Sequence, residues 1–325
     1  MIFLGIGIGL LYLVFKDQDF NQLWLDIKQA NYTWVFVSVL MGYAAIISRG
    51  VRWNILLKPM GYTPKTWNSI HAVAIGYFAN LAIPRIGEVT RCSALNQAEK
   101  IPVDKLFGTV LLERVLDSVL LLVLLVTTFL IKIDLFTEFL AKAFPGDVHP
   151  SKGLTVWHYL AIFTLLLLTT LIWIYRKRLA KISFVNKIKQ FLLGIAEGFK
   201  TIRKIEKKGW FIFHTLFIWS MYLLMTYVCF MAFVGTSHLN LGDGVFITIV
   251  GGLGMVAPAP GGLGAYHAAV IAGLTALEVD GNLARSFAVV IHSAQTVMMV
   301  IGGLFALLAL SFNRKKAARD LEKLA

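Results

Sequence analysis

Three charged residues, Glu113, Arg114 and Asp117, stand inside the otherwise uncharged run 106–131. On a helix Glu113 and Asp117 share a face, and Arg114 is spaced to pair with Asp117. A charge at mid-bilayer costs about 2.5–3.5 kcal/mol on insertion scales, so three together must pair or face a watery cavity. With Lys105 at the membrane edge, Glu113 lies about 12 Å in, at 1.5 Å per residue. Two chemistries fit. One is a self-paired cluster that locks helices together. The other is a substrate or proton site facing Arg85, Glu88 and Arg91. Guanidinium groups bind oxyanions in a bidentate manner, so Arg85 and Arg91 are expected to contact a phosphate-bearing headgroup, although both also suit an ordinary cytoplasmic edge. Asn80 is equipped to bond backbone groups freed by a broken helix. His267 and His292 fit either hydrogen-bonded packing or a proton relay. The sequence offers no metal-ligand spacing and no Ser/His/Asp arrangement. Gly254–Gly264 is glycine-rich but lacks the Lys-Ser/Thr of a phosphate loop. No cofactor or metal is expected.

The elements that hold these residues follow from composition. Of 325 residues, 58% are hydrophobic and 15% charged, with mean hydropathy +0.72. Soluble domains carry about 25% charged residues, so that class is excluded. Lys208 to Asp243 encloses 34 uncharged residues, Asp243 to Glu278 another 34, and Arg285 to Arg314 a further 28. A spanning helix needs about 20. The chain reads as an all-α, polytopic helical membrane protein. The net charge of +13 then reports topology, and no nucleic-acid partner is expected. Cys92 and Cys229 form no metal or disulfide framework and read as small apolar residues.

Apolar stretches fall at about 2–15, 33–57, 69–82, 106–131, 154–175, 210–234, 244–277 and 286–312. The first lacks a basic n-region and a cleavage site, and reads as a retained span. The block 176–208 holds 11 Lys/Arg against two acids and is placed in the cytoplasm, as is the basic tail 313–325. Working outward, 58–105 is cytoplasmic, while 16–32 and 132–153 are external. With Arg49 and Arg52 at the inner end of 33–57 counted in, the cytoplasmic side then collects 24 of the 31 basic residues. Both termini are expected inside, and the location is the cell membrane.

By parity, 244–277 starts and ends outside, and its centre carries Pro258, Pro260, Gly261, Gly262 and Gly264, which break a helix. A hairpin re-entering from outside fits this uncharged turn better than two full spans. Residues 69–98 show the inverse: they start and end inside around Asn80, Pro84, Arg85 and Gly87. Each half therefore runs span, broken hairpin, span, in opposite orientation. The expectation is about six full spans plus two re-entrant hairpins, in inverted repeats of 33–131 and 210–312 within one domain, 1–325. Many secondary transporters follow this plan, with sites where broken helices meet. Between the repeats, the apolar residues of 182–208 recur at 3.5-residue spacing among lysines. Either an amphipathic helix in the headgroup layer or a plain topological anchor accounts for them.

At these motifs the chain resembles the lysylphosphatidylglycerol synthetase transmembrane-region, or flippase-like, family. The matching residues are Arg52-Trp53, then Gly76-Tyr-Phe-Ala-Asn80 with Pro84-Arg85-x-Gly87-Glu88-x-x-Arg91, then Glu113-Arg114-x-x-Asp117, and finally Pro258-x-Pro260-Gly261-Gly262-Leu263-Gly264. The resemblance implies a domain that moves anionic or modified phospholipids, or a polyprenyl-phosphate headgroup, across the bilayer, with membrane lipids as partners. The residues expected to contact substrate are Arg52, Asn80, Arg85, Glu88, Arg91, Glu113, Arg114, Asp117, Pro258, Pro260, Gly261, Gly262, Gly264, His267 and His292. Where the family often has Glu, three residues after the last glycine of PGGLG, this chain has His267. The chain ends without the aminoacyl-transfer domain of full synthetases, so synthesis of lysyl-lipid is not expected. Translocation without catalysis is favoured over an intramembrane enzyme using Glu88, Glu113 or Asp117 as acid and base.

Overall fold

The computed structural model describes residues 2–16, 18–133, 135–136, 138–139, 205–257 and 259–322. The expected span 154–175, most of the linker 176–208 and Pro258 lie outside these residues. The described helices belong to one compact unit, comprising 1–143 and 205–325. No strand occurs among the described residues.

Ten α-helices follow in order: α1 (Ile2–Phe15), α2 (Phe20–Gln29), α3 (Tyr32–Leu57), α4 (Thr66–Ala82), α5 (Gly87–Glu99), α6 (Val103–Ile131), α7 (Lys208–Phe230), α8 (Leu241–Gly254), α9 (Ala265–Ala276) and α10 (Gly281–Glu322). The segments Tyr32–Met60, Val103–Ile131, Lys208–Phe230 and Gly281–Phe312 are long and apolar enough to cross a bilayer. The protein is a polytopic helical membrane protein. The expected span 2–15 is the 14-residue α1, which is about 21 Å long. That falls short of a hydrocarbon core of about 30 Å.

Local chemistry sets the helix ends. Asn31 caps α3 by accepting the Thr33 N–H. Asn240 and Asp243 form a reciprocal capping box at the start of α8, and Lys132 reaches Asp243 at 2.5 Å. Between α4 and α5 the chain breaks at Ile83–Ile86, where Pro84 denies the helix a donor and Arg85 takes a left-handed φ of 64°. Between α8 and α9 the break contains a 3-10 turn, Pro260–Gly262. Gly262 and Gly264 there have φ of 75° and 78°, a region that penalises any Cβ. The members of each broken pair are too short to span alone: α8 and α9 have 14 and 12 residues, about 21 and 18 Å.

Two apolar cores result, each built on one broken hairpin. Trp53, Ala72, Val73, Cys92, Leu95 and Leu106 belong to the first, on α4 and α5. Phe230, Phe246, Val250, Val270, Leu274 and Phe287 belong to the second, on α8 and α9. Helix α10 serves both, through Phe287 and Ile291 in the second and Met298 and Ala306 in the first.

The second break is also placed by its neighbours. At the head of α10, Arg285 donates to the Val14 carbonyl at 3.0 Å. Seven residues along α1, Gly7 packs on Leu263. Seven residues along α10, His292 Nε2 lies 2.9 Å from the Gly261 carbonyl. Both routes put the break about 10 Å below Arg285.

Candidate functional site

The charged residues of α3, α5 and α6 converge at one locus in the interior. Helix α3 turns a face of small residues inward (Ser38, Gly42, Ala45), and on that face stand Arg49 and Arg52, both buried. Arg52 and Glu113 are fully buried. Arg91 on α5 donates to Glu113 Oε2 at 2.6 Å, and Arg52 Nε lies 3.5 Å from Glu113 Oε1. Asp117 is held by Arg49 at 2.9 Å and by Arg52 at 3.1 Å. Arg91 also stacks over Trp53, 4.8 Å from the ring, and the indole N–H donates to Thr109 at 2.8 Å.

The expected pairing of Arg114 with Asp117 is corrected. Arg114 turns to Glu88 on α5 at 3.2 Å, with its side chain 40% exposed. A neighbouring pair within one helix is worth only tenths of a kcal/mol. Buried arginines arriving from α3 leave Asp117 better satisfied than an exposed neighbour does.

Helix α7 closes the locus from the other half of the chain. Thr215 accepts from Arg52 at 3.3 Å, Tyr222 accepts from Arg49 at 2.9 Å, and Tyr77 of α4 lies 2.9 Å from the Tyr222 hydroxyl. His214 meets Ser48 at 2.8 Å. Four arginines thus face three carboxylates, one positive charge in excess. Several guanidinium nitrogens, Arg49 Nη1 and Arg91 Nε and Nη1, have no hydrogen-bond partner among the described residues.

Beside this locus lies a cavity of about 410 Å³. Arg49, Arg114, Asp117, Tyr77 and Tyr222 line one part, while Met225, Met255, Met298, Met299, Ile247 and Leu121 make most of the rest apolar, with Ser118, Thr226, Thr248 and Gln295 among them. The two breaks meet each other as well. Arg85 donates to the Val256 carbonyl at 3.2 Å, and a Cβ on Gly261 would stand 3.0 Å from Leu81.

A profile of the lysylphosphatidylglycerol synthase TM region matches residues 1–303. The chain belongs to this family. It is 24% identical to a UPF0104 membrane protein of Methanocaldococcus jannaschii, over 88% of each chain. It is also 24% identical to a UPF0104 membrane protein of Pyrococcus horikoshii, over 86% of this chain and 88% of the other. No solved structure matches it.

For this member of the lysylphosphatidylglycerol synthase TM-region family, the residues singled out from sequence divide into three groups. Arg52, Glu88, Arg91, Glu113, Arg114 and Asp117 form the charged locus. Asn80 accepts the Gly87 N–H at 2.7 Å, supplying a bond that the start of α5 would otherwise lack. Arg85 and the turn Pro260–Gly262, with Gly261 against Leu81, make the meeting of the breaks, while Gly264 packs instead on Gly7 and Leu10 of α1. His267 and His292 stand apart from the charges, with ring centroids 4.6 Å from each other, behind Tyr266, which stacks on His292 and lines the cavity. Pro258 lies outside the described residues. Of Arg85 and Arg91, only Arg85 is exposed; Arg91 is committed to Glu113.

Arg49, Tyr77, Thr215 and Tyr222 join the locus in addition to the residues expected from sequence. Arg49 had a readable signal, since it lies three residues before Arg52 and shares its inward face. Among the described residues no three His, Cys, Asp or Glu side chains come together to hold a metal.

Proposed function

We propose that the protein is a lipid translocator of the cell membrane, with both termini in the cytoplasm, and that it carries an anionic phospholipid or polyprenyl-phosphate headgroup without chemical change. The observation that carries this reading is the excess positive charge at one side of an apolar cavity between two broken helices. An uncompensated buried charge costs several kcal/mol. An anionic headgroup entering beside Arg49 offsets it, while the methionine-rich remainder tolerates apolar atoms of varied shape. The two hairpins in opposite orientation suit the inverted-repeat plan of transporters. Glu88, Glu113 and Asp117 are each held by arginine, which suits charge compensation better than proton transfer.

The test restores charge as well as removing it. Arg49→Gln cancels the excess and should slow the flipping of labelled anionic lipid in proteoliposomes about tenfold or more, the worth of one charged hydrogen bond. Arg49→Gln with Asp117→Asn returns the excess and should recover part of the rate. Unchanged transport in the single variant removes the locus from the pathway. A rate equally low in both variants removes charge as the cause.

Orientation is checked by single cysteines in a background lacking Cys92 and Cys229. Val234→Cys, at a site 93% exposed, and Asp280→Cys should react with an impermeant reagent from outside. Ala259→Cys should stay unlabelled from the cytoplasm; ready labelling there would mean that the second hairpin crosses the bilayer.

A further inference from the structure

We infer that Gln295 of α10 is a further substrate-contacting residue of the central cavity, and that it selects headgroups carrying hydroxyl groups beyond the phosphate. The inference rests on the translocator reading and adds the part of the headgroup that the arginines leave unread.

Register between the two halves singles out this residue. Landmarks of the first half recur 178 residues later in the second. Helix α5 begins at Gly87 and α9 at Ala265, while α6 begins at Val103 and α10 at Gly281. Between the members of each pair stands a residue with a left-handed φ, Lys100 at 59° and Glu278 at 63°. A buried aliphatic follows it, Ile101 or Val279. Contacts keep the same register: Glu88 meets Arg114 at 3.2 Å, and Tyr266 stacks on His292 with ring centroids 5.1 Å apart. Asp117 then corresponds to Gln295 and Leu121 to Met299, and all four line the central cavity.

The halves differ in charge. Glu113, Arg114 and Asp117 are matched by Ile291, His292 and Gln295, and no charged residue stands between Lys208 and Asp243 to act as Arg49 and Arg52 do. Asp117 is spent on those two arginines. Gln295 is half-buried and has no hydrogen-bond partner among the described residues. Its amide is not sealed away as the unpaired Arg49 Nη1 is. It lies about 15 Å along α10 from Arg285, near the middle of a hydrocarbon core of about 30 Å. A polar side chain at that depth calls for a polar guest.

The chemistry selects the guest. The amide offers two donors and an acceptor, which a hydroxyl can meet as acceptor and donor at once. A phosphate only accepts, and the excess positive charge beside Arg49 already suits it. An ammonium would need a free carboxylate, and Asp117 is taken. On the same half's wall Thr226 and Thr248 donate to their own helix, to the Tyr222 carbonyl at 3.2 Å and the Gly244 carbonyl at 2.8 Å. Their oxygens remain as acceptors for a hydroxyl. One half thus reads a phosphate, and the other a neutral hydroxylated group, glycerol or sugar.

The experiment follows four chain-labelled lipids in proteoliposomes of the full chain. Phosphatidylglycerol is set against phosphatidic acid, and a glycosylated polyprenyl phosphate against the bare polyprenyl phosphate. Gln295→Met keeps the length of the side chain and removes the amide. It should slow the hydroxyl-bearing lipids about fivefold, the ratio for one lost hydrogen bond of about 1 kcal/mol. The bare phosphates and the melting temperature should not change, since no bond within the protein is lost. Gln295→Asn keeps the amide and should retain more of the selectivity than Gln295→Met. A fall in one pair alone names the source of the hydroxyls, glycerol or sugar. All four rates falling together, or none changing, would overturn the role of Gln295 while leaving translocation intact. Wild-type protein that moves none of the four would remove translocation and this role with it, so the two failures are told apart.

Discussion

Replacing Glu113 by glutamine is expected to lower stability by about 3–5 kcal/mol, the cost of leaving one member of a buried ion pair unopposed. Glu113 is fully buried, and both of its oxygens face guanidinium groups, those of Arg91 and Arg52. Glutamine keeps the size of the side chain, loses its charge and turns one acceptor oxygen into a donor that faces a guanidinium. Arg52 retains Asp117 as a partner, whereas Arg91 has its ion pair only to Glu113 among the described residues. Arg91→Met together with Glu113→Gln should therefore be more stable than Glu113→Gln alone. The methionine removes the orphaned cation and can still pack against Trp53. Denaturant unfolding of the protein in detergent measures both variants. A double variant no more stable than the single one would show that Arg91 and Glu113 do not act as a pair.

The second large effect concerns the close approach of α4 and α5. A Cβ on Gly87 would run into the Gly76 carbonyl oxygen and the Asn80 side chain, and a Cβ on Gly76 would meet the Gly87 carbonyl oxygen at 2.8 Å. Gly87→Val therefore forces two backbones apart. It also strains the bond from the Gly87 N–H to Asn80 that stands at the start of α5. Overpacking in a core costs about 1–3 kcal/mol when side chains can yield; here backbone must yield, and the expected loss is about 3 kcal/mol or more. Gly108→Val serves as the control, because a Cβ there meets nothing within 4 Å. Equal melting temperatures for the two variants would dispose of the close-packing account.

Much of this architecture is legible in the sequence. Proline and glycine in otherwise apolar runs mark both breaks, because helix interruption is a local backbone effect. The acids of α6 are conspicuous because hydrocarbon penalises them. Their partners were less legible. Spacing along one helix suggested Arg114 for Asp117, but the partners come from α3, across a tertiary contact that local spacing does not encode. Arg49 carries the same basic signature as residues that merely mark the cytoplasmic edge; its spacing from Arg52 puts the two on one face, and burial shows that this face turns inward. Arg85 and Arg91 looked alike in sequence. The turn at Pro84 leaves one exposed, while the inward face of α5 buries the other. Thr215 and Tyr222 are ordinary residues of an apolar helix and acquire a role only because α7 packs against α3.

Helix α10 belongs to both cores at once, and that constrains how anything in this molecule can move. Ile291 is fastened to one broken hairpin and Met298 to the other, with about 10 Å of continuous helix between them. The hairpins are thus mounted on a common shaft. Drawing the breaks apart while both cores stay intact requires that short stretch to bend, or the two halves to turn about it. Translation of one half along the other is resisted by the helix's own hydrogen bonds. Rotation is the movement this arrangement leaves open, and it would have to break the contact between Arg85 and the Val256 carbonyl.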